Sequence, residues 1–178
     1  MHARTTRFFP LFLVLACACC SPAEPGGQEE AQEEKASMQR LARGNNALAW
    51  RLFARLRRRG PDLFLSPYSI RRALAMVAAG AAGETAAEMR DPLGLFAGYH
   101  RAAARLAARL ARRGAGVSFT QANATWVQEG MAILDPFRQV LADHYGAGLE
   151  RVDFKADPAA AARRIDRWAA EATRGLIK

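Results

Sequence analysis

After residue 20 the sequence contains no cysteine; all three, Cys17, Cys19 and Cys20, lie at or before it. A disulfide framework is thereby excluded for everything that follows. Histidine is scarce as well, and His2, His100 and His144 are scattered along the chain. After residue 20 there is no C-x-x-C, and no H-x-x-x-H spacing occurs, so no zinc site is expected, and no cofactor is implied. No G-x-S-x-G elbow, phosphate loop or paired histidine and carboxylate stands out, so the residues do not point to an enzyme. No nucleic-acid reader motif accompanies the basic charge, and charge alone is not specific, so no nucleic-acid partner is expected. Lysine is nearly missing: Lys35, Lys155 and Lys178 are three of 26 basic residues. The arginine excess, with so much alanine, reads as codon usage more than as selection for a partner.

What is present divides into three. Residues 1–20 read as a targeting segment. Arg4 and Arg7 are its basic start, and Phe8–Ala16 is an apolar run of nine residues, too short to span a bilayer. Val14-Leu15-Ala16-Cys17 resembles a bacterial lipobox, which makes Cys17 the lipidation candidate and a membrane the implied partner. Ala16-Cys17-Ala18 also suits an ordinary signal peptidase, with plain secretion as the result. Either way the chain is expected outside the cytoplasm. Residues 21–38 are rich in Pro, Gly, Glu and Gln and lack apolar periodicity, so they are expected to form a flexible acidic tether. Residues 39–178 carry 23 basic and 12 acidic residues, a formal charge of +11, and are expected to form one domain.

Within that domain, caps and periodicity mark the elements. Asn45 or Asn46 can cap a helix with Leu48, Leu52, Phe53 and Leu56 on one face, ended by Gly60-Pro61. Leu63-Phe64-Leu65 suits a short buried strand. Ser66-Pro67 is a cap followed by a favoured first helical residue. It opens a helix with Ile70, Leu74, Val77 and Ala81 at the helical interval, expected in the domain's centre. Thr85 to Glu88 form a capping-box pattern for another helix. The following helix carries Tyr99, Ala103, Leu106 and Leu110 on one face and Arg101, Arg105, Arg109 and Arg112 on the other. Val117 to Val127 reads as a long strand and Leu149 to Phe154 as a short one. Asp135-Pro136 and Asp157-Pro158 each open a helix, the last with Ile165, Trp168, Ala169 and Ala172 inward and Gly175 at its end.

In order, these segments resemble the serpins, a family of suicide protease inhibitors. Ser66-Pro67-Tyr68-Ser69-Ile70-Arg71-Arg72-Ala73-Leu74-Ala75-Met76 is similar to the family's S-P-x-S-I-x-x-A-L-x-M. Gly80 to Met89 resemble G-A-x-G-x-T-x-x-E-M, and Ala122 to Gln128 resemble A-N-x-x-W-x-Q. Asn45 to Leu56, Tyr145-Gly146-Ala147, Val152-Asp153-Phe154, Ile165 to Trp168 and Thr173 to Ile177 also fit, with Asp166 where the family has asparagine. The likeness covers residues 45–178.

The resemblance implies an α+β fold, the helix-rich N-terminal portion of the serpin architecture: helices A to F with parts of the central sheet. It implies inhibition of a serine or cysteine protease outside the cytoplasm. In the family, a cleaved reactive loop inserts as a new strand and carries the acylated protease with it. That loop lies near the family's C-terminus and matches nothing here, so the chain is expected to be a truncated, non-inhibitory product. Ser66 and Ser69 match the family's shutter serines, whose partners would follow Lys178; the local reading of Ser66 is simply a helix cap. The stripe of Arg101, Arg105, Arg109 and Arg112 lies on the counterpart of helix D, which binds glycosaminoglycans in some members. A polyanion is therefore a second candidate partner, against the plainer reading of a solvated face. The Asn123-Ala124-Thr125 sequon is disregarded as lying on a strand of a bacterial protein.

Overall fold

The computed structural model describes residues 25–58, 62–112 and 119–177. Six helices and two strands follow in the order α1 (Pro25–Leu56), α2 (Pro67–Ala79), α3 (Gly83–Leu93), α4 (Tyr99–Ala111), β1 (Ala124–Gln128), α5 (Asp135–Tyr145), β2 (Gly148–Val152) and α6 (Pro158–Ala172). The arrangement is α+β and helix-rich, as expected.

Several ends sit where local chemistry places them. Ser66 Oγ accepts from the Ser69 amide at 3.3 Å at the start of α2, and Asp157 accepts from Ala160 at 2.8 Å at the start of α6. Gly94 and Gly146 close α3 and α5 in the left-handed region, at φ 58° and 56°.

The first helix corrects the tether. Residues 25–38 are not a flexible linker but the first half of α1, which runs unbroken through Asn45 and Asn46. Glu, Gln, Ala and Lys are good helix formers, and Met38 packs on the core beside the buried Leu41. Glu34 adds ion pairs to Arg105 and Arg109 of α4.

The strands are shorter than the sequence suggests. Leu63-Phe64-Leu65 forms no strand and Phe64 is fully exposed, because no described strand lies beside it to accept its ladder. Of the stretch 117–127, residues 117 and 118 fall outside the described residues, and pairing begins only at Ala124. β1 and β2 pair in parallel, with Ala124 opposite Gly148 and Gln128 opposite Val152. The intervening α5 makes the crossover that a parallel pair requires.

The core lies among α1, α2, α4 and α5, around Leu41, Ala75, Met76, Tyr99, Leu141 and Tyr145. Here α2 is turned away from its expected orientation. Leu74 is 39% and Val77 60% exposed, whereas Arg71 and Arg72 are buried at 1% and 6%.

Arg71 explains the rotation. Its guanidinium donates to Leu41 O of α1 at 2.7 Å, Leu93 O at 2.7 Å and Gly94 O at 2.9 Å. It also lies 4.9 Å from the centroid of Tyr99 on α4. Desolvation by burial lowers its pKa from the ordinary arginine value. The last carbonyls of a helix have no partner within it, and Arg71 supplies one at the end of α3.

Gly44 makes this seat accessible. A Cβ there would strike the Arg71 guanidinium. In an ordinary helix interior, Gly to Ala gains about 1 kcal/mol. Here Gly44→Ala is expected to destabilise by about 1–3 kcal/mol through overpacking. Chemical denaturation followed by circular dichroism checks the sign, and the double variant with Arg71→Ala should recover the helix-propensity gain.

Candidate functional site

Three features of the surface correspond to residues singled out by the sequence. The first is the start of α2. Ser66 and Ser69 are both exposed, and their hydroxyl oxygens lie 2.9 Å apart. Among the described residues their side chains bond to each other and to the local backbone. The structure thus places them together as a cap, open on the outer side.

The second is the surface formed by α2, β1 and α6. Val77 and Met76 of α2, Trp126 of β1 and Trp168 of α6 line one cavity of about 410 Å³. The two indoles meet edge to face, with centroids 6.1 Å apart. The side of β1 away from β2 has no strand partner among the described residues. Its amide and carbonyl groups therefore face outward as a template for a further strand.

The third is the outer face of α4, where Arg101, Arg105, Arg109 and Arg112 are all exposed. They do not form an undivided positive stripe. Glu34 pairs with Arg105 at 3.3 Å and with Arg109. Arg101 and Arg112 make no ion pair among the described residues. Cys17 lies outside the described residues.

Two groupings were not visible in the sequence. Arg71 and Arg72 stand inside an otherwise apolar helix, and two adjacent arginines there were the available signal. The scattered histidines also converge, since His100 and His144 stack with centroids 6.3 Å apart. His100 Nδ1 lies 2.7 Å from the Tyr145 hydroxyl. Desolvation, followed by the neighbouring charge of His144, holds His100 below the ordinary histidine range. Burial raises the Tyr145 phenol, so it stays protonated and remains a donor to a neutral His100.

The comparisons agree on one family. The family described as Serpin (serine protease inhibitor) matches residues 43–178. An uncharacterized serpin-like protein of Thermococcus kodakarensis is 33% identical over 140 residues, covering 75% of this chain and 32% of its own length. The leukocyte elastase inhibitor of Bos taurus is 35% identical over 144 residues, covering 79% and 38%. Among solved structures, reaction-loop-cleaved lamprey angiotensinogen is 29% identical and superposes with a TM-score of 0.70, covering 79% of this chain and 42% of that one. The chain belongs to the serpin family. It spans about a third of the length of the curated relatives it matches.

The histidine cluster carries a pH dependence. The folded state keeps His100 neutral to a lower pH than the unfolded chain does. Below about pH 6.5 the unfolded state therefore binds more protons, and stability falls as pH drops towards the folded value. The melting temperature is expected to fall as the pH drops below about 6.5, and His100→Asn should flatten that slope relative to the parent chain.

Proposed function

We propose that these residues form the scaffold of a serine-type endopeptidase inhibitor that works by strand insertion. One observation carries the reading: among the described residues the outer edge of β1 has no strand partner, and the exposed Val77 of α2 shares a cavity with Trp126 of β1. An inserted strand would gain main-chain hydrogen bonds along that edge and bury those side chains. The chain acts as a protein ligand of a protease and not as an enzyme. In the family pattern the reactive loop lies outside the stretch that these residues match, and the scaffold is proposed to need that loop for inhibition. Export and attachment to a bacterial membrane through Cys17 complete the reading.

A second reading rests on α4. Its exposed Arg101, Arg105, Arg109 and Arg112 suit a polyanion, with Glu34 of α1 as the internal competitor. Such binding weakens steeply with salt.

Two experiments test these readings. Mixed with elastase-, trypsin- and chymotrypsin-type proteases, the chain is expected to leave activity intact and form no SDS-resistant complex. A ten-residue peptide of alternating apolar and polar residues is expected to raise its melting temperature. A covalent complex with the chain alone counts against the need for a further loop, and indifference to the peptide counts against strand insertion. On immobilised heparin, Glu34→Gln should elute at higher salt than the parent. Retention that ignores salt removes the polyanion reading.

A further inference from the structure

Arg71 and Arg72 are the buried charged residues of the described core. Neither forms an ion pair among the described residues. Carbonyl oxygens satisfy Arg71 well, whereas Arg72 lies over the Tyr145 ring at 4.7 Å but is served poorly by acceptors. Its contacts to Ala103 O, His144 O and Tyr145 O are 3.3–3.4 Å long, and its Nε is buried without an acceptor. A buried cation without an anion is costly, because it has given up water and received no opposite charge.

Both arginines line a cavity of about 470 Å³ between α1, α2 and α4. That volume falls in the range of small-molecule sites. Asn45 lines the same cavity, and its Oδ1 is buried without a partner. An amide side chain can be turned to present its NH₂ group instead. Much of the remaining wall is apolar, with Met38, Leu41, Leu106 and Leu110. The cavity therefore brings buried guanidinium groups and an amide side chain together with a hydrocarbon surface.

We propose that this cavity binds a small amphipathic carboxylate, its head at Arg72 and Asn45 and its apolar body against Leu41, Leu106 and Leu110. The inference does not depend on strand insertion or on the outer face of α4. Head and tail discriminate differently: the head gains a charge-assisted hydrogen bond, and the tail gains burial.

Decanoate is the probe and decanol its uncharged control. Calorimetric titration of the 178-residue chain is expected to show one saturable decanoate site. Decanol is expected to bind about ten-fold more weakly, as loss of a hydrogen bond to a charged group implies. Arg72→Met should remove that preference. Leu106→Trp, which fills the cavity, should abolish binding of both. No saturable heat, equal affinity for the two probes, or decanoate binding that survives Leu106→Trp overturns the proposal. The decanoate–decanol comparison on the parent chain decides it even if Arg72→Met does not fold.

Discussion

The described helices depend on one buried guanidinium. Arg71 reaches from α2 to the backbone of α1 and the end of α3, and stacks on Tyr99 of α4. Four helices thus meet at a single planar donor. Arginine suits the place because its fork can serve several carbonyls at once and its charge cannot be shed. Gly44 leaves the room it needs.

That seat has a consequence for the surface. With Arg71 and Arg72 turned inward, the apolar Leu74 and Val77 of the same helix turn out towards solvent. Val77 shares a cavity with Trp126 of β1, whose outer edge has no strand partner among the described residues. Exposed apolar side chains next to an open strand edge are complementary to an added strand. A chain that spans about a third of its relatives' length can leave such a surface without contradiction. The arrangement of elements similar to that of lamprey angiotensinogen is built around the core that these residues do bury.

Local signals in the sequence held where one or two residues decide the outcome. Ser66-Pro67 and Asp157-Pro158 mark helix starts by chemistry that needs no tertiary contact. Tyr99 and Ala103 face inward and the α4 arginines outward, as the period requires. Failures came where distant partners decide. The Glu- and Gln-rich stretch suits both a solvated coil and a helix, and docking of Met38 with pairing of Glu34 accompanies the helix. The expected inward face of α2 followed its aliphatic residues, but carbonyls at the end of α3 and along α1 and Tyr99 recruited the arginines instead. The convergence of His100 and His144 depends on packing α4 against α5, which spacing in the sequence does not reveal.

The most direct measurement is the unfolding free energy of Arg71→Met, a change that keeps length and apolar volume while removing the donors. It leaves the Leu93 and Gly94 carbonyls without their partner. Urea denaturation is expected to show a loss of roughly 2–4 kcal/mol, the cost of stranding two acceptors. An unchanged or higher midpoint would mean that the helices are held by apolar packing alone and that Arg71 merely occupies the space between them.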